Sequence, residues 1–380
     1  MRNYNAILNI DKKKNLVTCQ AGCTLDKLNQ RLKSEKFGLR VLGSISHQTV
    51  AGAICTPTHG TGIQYGILAT EVVHIQFVNG NCDVIECSEI ENQNIFKACL
   101  CSFGSLGIIT EITMRVEPLK TLVSLQFPLK LRQVEENLTR IIYGAEHSRI
   151  WWFPHTDKCS IWQANKLEFN ASDIEKSGLN SQISCGKKKF SNFILESVLY
   201  LSTIVPSVTP YVNKVSHKVL FGKVVQSQDV SFKEFNIDCL FKQYVNEWAI
   251  PIEHALEALS LLQLLITEHN INANWPVEVR FVRNDDIWLS PCYGESDRCF
   301  IGIIMYRPYS REPKYLLYFK KFDEMMSSLG GRPHWAKAHG WKYKECKESY
   351  PMWEEFCKLR SKMDPKNVFM NEYTRSIFNP

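Results

Sequence analysis

The stretch Val41–Gly62, VLGSISHQTVAGAICTPTHGTG, packs four glycines and eight Ser, Thr or His residues into one short span. Such a composition makes a poor helix and a poor strand. Glycine lets backbone N–H groups turn toward a ligand and lets that ligand come close, while hydroxyls add neutral donors. These are the needs of the diphosphate and ring system of a dinucleotide. Read alone the stretch is also compatible with a plain connecting loop.

Two further segments carry ionisable groups in apolar surroundings. Asn274–Arg283 reads NWPVEVRFVR and Gly331–His339 reads GRPHWAKAH. In the first, strand alternation puts Glu278 and Arg280 on one face and Val277, Val279 and Phe281 on the other. On pattern alone that polar face fits a solvent-exposed ion pair as well as a site.

Taken with Tyr65–Gly80, Ser102–Val116, Ile150–Trp162, Trp275–Cys292, Ile303–Tyr309 and Asp364–Tyr373, these segments resemble the FAD-linked sugar-lactone oxidases of the vanillyl-alcohol-oxidase type, the L-gulonolactone oxidase family. The resemblance runs in order over nearly the whole chain, and HWAK with VEVRF is its most specific part. It implies an α+β, two-domain flavoprotein: a PCMH-type FAD-binding domain over residues 1–118, a substrate (cap) domain over 119–330, and a segment 331–380 returning to the flavin site.

The same resemblance implies oxidation of L-gulono-1,4-lactone by O2, giving H2O2 and a keto-lactone that tautomerises to L-ascorbate. Galactono- or arabinono-lactone are the sibling substrates, and a cofactor-free form acting only as a binding protein is a further reading. By similarity, Glu278 and Arg280 contact substrate hydroxyls and Lys337 is a further substrate contact or proton acceptor, its pKa lowered if it is desolvated. Ser44 faces the substrate. The FAD contacts carried over are Gly43, Ser44, Thr49, Gly52, Thr56, Pro57, Thr58, His59, Ile109 and His334. Gly43 favours an oxidase, since a side chain there would obstruct O2 at the flavin edge. The family's second glycine-rich loop, with the histidine that bonds the flavin, is not found ahead of Met1–Asp11. The expectation is therefore a chain without a covalent attachment residue, poorly loaded with FAD and poorly soluble on its own.

Composition agrees. The 380 residues, 44% apolar and 22% charged, suit a globular protein with a sizeable core. A net charge of +6 with spread basic residues carries no nucleic-acid footprint, and Lys12–Lys14 and Lys187–Lys189 read as solvated turns. The fourteen cysteines are scattered without zinc spacing, so no metal is expected and reduced, mostly buried thiols are. The N-terminus lacks the apolar core of a signal peptide, and the sequons at Asn137 and Asn170 read as chance matches.

Phe193–Val212 is long and apolar but holds Glu196, Pro206 and Pro210, which favours a buried or interfacial helical hairpin over a membrane span. The family resemblance implies shallow association with the endoplasmic reticulum membrane, with a cytoplasmic protein the alternative. Along the chain we expect a strand at Leu16–Gln20 and a helix capped by Thr24 that buries Leu25, Leu28 and Leu32 and stops near Gly38. A hairpin from Val72 to Cys87 turns at Asn79–Gly80, and a strand presents Ile108, Thr110, Ile112, Met114 and Val116 inward. Helices follow at Ile252–His269, Tyr315–Leu329 and Glu348–Lys362.

Overall fold

A computed structural model describes residues 3–167, 185–236 and 241–379. The Asn170 sequon lies outside the described residues, as do the side chains of Lys187–Lys189. The first domain is built on a five-stranded antiparallel sheet of order β1-β2-β6-β4-β5, with β1 Ile7–Asp11, β2 Leu16–Gln20, β4 Val72–Val78, β5 Val84–Ser88 and β6 Ile108–Arg115. Two short strands, β3 Phe37–Gly38 and β7 Glu117–Pro118, pair beside it.

Local chemistry sets its elements. Thr24 accepts a hydrogen bond from the Lys27 N–H and caps the helix Leu25–Ser34, which buries Leu25, Leu28 and Leu32. That helix ends at Ser34, short of Gly38, because Lys36 takes the left-handed conformation (φ 63°) and turns the chain into β3. In β6 the inward alternation is corrected by a bulge. Gln76 pairs with Glu111 but Phe77 pairs with Ile109, so Thr110 is the extra residue and bonds Gln76 through its hydroxyl. Ile109, Ile112, Met114 and Val116 are therefore buried, while Ile108 is exposed and Thr110 half-buried.

The second sheet has eight strands, again antiparallel, in the order β11-β8-β10-β9-β13-β14-β12-β15. They are β8 Thr121–Lys130, β9 His147–Phe153, β10 Lys158–Leu167, β11 Val225–Val230, β12 Gln243–Pro251, β13 Val277–Val282, β14 Arg298–Tyr306 and β15 Arg332–Pro333. The helix Ala255–Glu268 and the helix Leu316–Ser328 pack on each other. The C-terminal residues touch both sheets. Arg332–Pro333 extends the large sheet as β15, and Gly80 of the first domain bonds the Met363 carbonyl at 2.8 Å.

The hairpin expected around Phe193–Val212 forms. Helix Cys185–Ile204 meets helix Thr209–Ser216 across a turn at Pro206–Val208. Its apolar contact with the rest of the protein is a small cluster, Leu199 and Val212 against Phe153, Phe241, Trp275 and Tyr306, separate from the main core, and Asn213 donates to the Pro154 and Ala273 carbonyls at 2.9 Å. Among the described residues twelve cysteines are free, eleven of them within or partly within the interior. Among the described residues no helix is long and apolar enough to cross a membrane.

Candidate active site

Strand register builds the site. Trp151 of β9 pairs with Glu278 of β13, Glu278 with Gly302 of β14, and Gly302 with Glu247 of β12. One residue pair further along, Arg149 pairs with Arg280 and Arg280 with Phe300. Because residues opposite one another across an antiparallel pair share a face, the two rows set a tryptophan, two carboxylates and two guanidiniums on one face of the sheet. Val277, Val279 and Phe281 point the other way and are buried. Arg280 is 8% exposed, so the pair is an interior feature and not a solvated strand face.

The glycine-rich loop is stitched to that sheet. Gly62 N–H bonds the Phe281 carbonyl at 2.8 Å, Gly62 bridges Val282, and the Thr61 hydroxyl donates to the Ser148 carbonyl. Gly62 adopts φ +138°, and a Cβ there would lie 2.6 Å from the Glu146 carbonyl oxygen; one on Gly60 would lie 2.7 Å from that of Leu42. Both positions require glycine. The stitch brings His59 over β14, its ring stacked on Phe300 at 3.7 Å.

A cavity of about 510 Å³ opens between loop and sheet. It gathers Gly43, Ser44, Thr58, His59, Glu278, Arg280, His334 and Lys337 from three separate parts of the chain. Thr49, Gly52, Thr56, Pro57 and Ile109 do not line it. Thr49 caps the helix Val50–Ile54 by accepting from Gly52 N–H at 3.2 Å, Thr56 donates to the Gly52 carbonyl, and Ile109 is buried against the first sheet. A methyl on Gly43 would sit 3.2 Å from Thr58 Cγ2 and 3.4 Å from the His59 carbonyl oxygen, pressing on the loop wall.

The charges interlock. Arg280 donates to Glu247, and its Nε stands 3.4 Å from Glu278 Oε2. Glu278 Oε1 accepts from the Trp151 indole at 3.1 Å and faces Arg149 Nε at 3.4 Å. Burial raises the Glu247 carboxyl, but Arg280, His59 and His334 overcome this and hold it well below the ordinary carboxylate range. Burial likewise raises Glu278 and is outweighed by Arg280 and then Arg149. Burial lowers Arg280, and Glu247 and Glu278 together leave it raised.

Both histidines are buried and neutral at neutral pH. Burial and then Arg280 lower His59 against the opposing pull of Glu247. Burial drives His334 well below its usual value, with Lys337, His59 and Arg280 adding to it against Glu247. Ala336 N–H donates to His334 Nδ1 at 3.1 Å, which places the ring proton on Nε2. Lys337 is half-buried, and its ammonium has no hydrogen-bond or ion-pair partner among the described residues.

Glu247, Arg149 and Trp151 escaped the reading of sequence alone. A signal was present in each case: an acid inside the apolar strand VNEWAI, and a doubled tryptophan in IWWF whose first ring faces the cavity while Trp152 is 1% exposed. Nothing local ties Glu247 to Arg280, thirty-three residues away.

A glycine-rich loop folded over an antiparallel sheet, with a largely apolar cavity between that holds a few converging charged groups, suits a flavin-linked oxidoreductase. The fold matches a cholesterol oxidase of Brevibacterium sterolicum (TM-score 0.74, 13% identity, 99% of this chain and 83% of that one) and a solvent-stable cholesterol oxidase (TM-score 0.79, 15% identity, 98% and 84%). Residues 1–88 match the FAD binding domain family and residues 112–377 the D-arabinono-1,4-lactone oxidase family. The chain belongs to that aldonolactone oxidase and dehydrogenase family. It is 38% identical to the L-gulonolactone oxidases of Scyliorhinus torazame and Mus musculus, over all of this chain and 84% of each. It is 30% identical to the L-gulono-1,4-lactone dehydrogenase of Mycobacterium tuberculosis, over all of this chain and 85% of that one.

Proposed function

We propose that this protein oxidises L-gulono-1,4-lactone with FAD and O2. The observation that carries the reading is the one cavity in which Glu278, Arg280, His334 and Lys337 converge opposite Gly43 and Ser44 of the glycine-rich loop. Buried polar atoms with an ion-pair neighbour at 3.4 Å but no hydrogen bond, Nε2 of His59 and Nε of Arg280, lie at that cavity and suit a polar ligand. Thr58, His59, Gly43 and Ser44 would hold the flavin ring side. FAD, when bound, supplies the acceptor for the hydride of the lactone C–H and passes the electrons to O2.

The chain's residues do the rest. Glu278, ionised, accepts a hydrogen bond from a lactone hydroxyl and fixes which C–H is presented. Arg280 and the Nε2–H of His334 favour negative charge on the reacting oxygen as its proton leaves. Lys337, unpartnered at the cavity, is the group open to contact that hydroxyl. The lactone loses one hydride and one proton, O2 takes up two electrons and two protons as H2O2, and the keto-lactone tautomerises to L-ascorbate.

The family match to D-arabinono-1,4-lactone oxidase favours one alternative, a sibling lactone in the same cavity. H2O2 yield from the FAD-loaded protein against a panel of gulono-, galactono- and arabinono-lactones tests the assignment. Highest kcat/KM for L-gulonolactone is expected, and no turnover of any lactone would overturn it.

We also propose that the protein associates with a membrane surface, docked through its helical hairpin. In support, Phe193, Ile194, Val198, Leu201, Ile204, Val205, Tyr211, Val215 and Val219 are exposed, whereas Ser202, Thr209, Asn213 and Ser216 are buried. A hairpin that keeps several polar residues buried while exposing this many apolar ones suits a lipid surface. Lys214, Lys218 and Lys223 stand exposed among them, and no acidic residue occurs from 197 to 228.

A further inference from the structure

Glu278 is held from two sides, and only one of them belongs to the cavity. Its Oε2 faces Arg280, which lines the cavity. Its Oε1 faces Arg149, which does not, and which is 3% exposed. The Arg149 guanidinium lies between two indoles, 5.4 Å from the Trp151 ring and 5.1 Å from that of Trp162. Its Nε has no hydrogen-bond acceptor.

A guanidinium buried with no hydrogen bond at Nε is costly to the fold unless its charge is used. Four charges make up this patch: carboxylates at Glu247 and Glu278, guanidiniums at Arg280 and Arg149. Arg280 is already committed to Glu247. Without Arg149, a single cation would serve both carboxylates, the buried Glu247 and the half-buried Glu278, and the one it serves at longer range is Glu278.

We propose that Arg149 is a positioning residue for lactone oxidation, keeping the Glu278 carboxylate ionised and turned to the cavity from outside the cavity wall. The inference rests on the lactone-oxidase reading given above. It agrees with the electrostatics. Burial lowers the Arg149 guanidinium to about 10, with Glu278 pulling it back up, so it is a cation at neutral pH. The groups facing Glu278 are Arg149 and Trp151 from β9, Arg280 from its own strand and Glu247 from β12; Glu247 alone favours protonation. The cation–π contacts with two tryptophans fix where the charge sits.

The test is the pH dependence of kcat/KM in the FAD-loaded full chain, with lactone binding followed separately by the change in tryptophan emission that the parent shows and a Trp151→Phe variant loses. Arg149→Gln should lower kcat/KM by about 10²-fold and move its acidic limb to higher pH by about one unit or more, since the carboxylate loses a cation. Added guanidinium ion should recover at least about tenfold of the loss. Arg149→Lys keeps the charge and loses the planar fork, so its acidic limb should stay in place while KM rises; it decides the matter if the glutamine variant does not fold. A uniform loss at every pH, without rescue, would mean that Arg149 only fills space. A parent protein inert toward every lactone overturns the oxidase reading and this inference with it. An active parent whose variants keep both its acidic limb and its KM overturns this inference alone.

Discussion

Glu247 and Glu278 sit on strands that do not touch, yet each pairs in register with the same residue, Gly302 of the strand between them. The missing side chain at that position leaves the two carboxylates joined only through Arg280, which reaches both. Glu247→Gln removes the closer partner of a buried guanidinium. We expect a loss of about 3 kcal/mol in stability, the scale for breaking a buried pair, together with a lower turnover. Denaturant unfolding with parallel steady-state assays checks this, and an unchanged midpoint would show that Glu278 alone suffices for Arg280.

Arg280 and Lys337 should separate function from stability. Arg280→Ala, Glu278→Gln and Lys337→Ala are each expected to lower turnover by about 10²-fold or more, the usual scale for a positioned polar or charged group. The first two should also lower the melting temperature appreciably, since each leaves a buried charge short of a partner. Arg280 is buried and pairs with two carboxylates, while the Lys337 ammonium has no partner to lose. Thermal unfolding of the three variants beside their kcat values distinguishes the cases. Turnover within about threefold of the parent in all three would remove these residues from the chemistry.

Gly43→Ala tests the loop wall. The added methyl meets Thr58 Cγ2 at 3.2 Å, closer than is comfortable, so the loop or Thr58 must yield by a few tenths of an ångström. We expect weaker FAD retention, restored by the second change Thr58→Ser, which deletes that methyl. Flavin absorbance after gel filtration reads both variants. If the double variant is no better than the single one, the effect of the methyl lies on the cavity side, at O2 access, as the sequence alone suggests.

The sequence carried the fold further than it carried the site. Loop chemistry, the Thr24 cap and the Asn79–Gly80 hairpin are local, and local patterns announce themselves. VEVRF disclosed its polar face because strand alternation is also local. Glu247 and Arg149 acquire meaning only from register across β9, β13, β14 and β12, and register is a product of the whole sheet. The bulge at Thr110 is a similar case: one extra residue exchanged Ile108 for Ile109 in the core, and nothing in SFGSLGIITEITMRV marks where it falls.

Acid should destabilise the protein in two stages. Burial lowers His147 to about 4 from an unfolded value of 6.5, and lowers His59 and His334 as well. A group with a depressed folded value binds its proton more readily when unfolded. The stability these histidines contribute is therefore complete above about 6.5 and falls as the pH drops from there toward 4. Glu247, held well below its ordinary 4.5, adds a second loss beginning below that value. Melting temperature should decline from pH 7 to pH 4 and more steeply beyond. His147→Gln should flatten the first stage, and a parent profile flat between pH 7 and 5 would contradict the neutral, buried assignment.

Vesicle binding separates a lipid-docking hairpin from an interface with a second copy of the chain. Both would cover Leu201, Val215 and Val219, but only the first draws on Lys214, Lys218 and Lys223. Apolar insertion with electrostatic attraction predicts stronger flotation with vesicles rich in phosphatidylserine than with phosphatidylcholine alone, and weaker flotation at high salt. Replacing Val215 and Val219 by glutamate, at sites already 59% and 69% exposed, should abolish binding without cost to the fold. The hairpin matters to the site because Leu220 is both 43% exposed and part of the cavity wall, and Phe221 beside it lines the cavity and packs on Trp151 at 5.2 Å. A bromolipid vesicle should therefore quench tryptophan emission as it binds. Flotation that ignores both lipid charge and the glutamate substitutions, with a concentration-dependent dimer in sedimentation, would assign the face to a second copy instead.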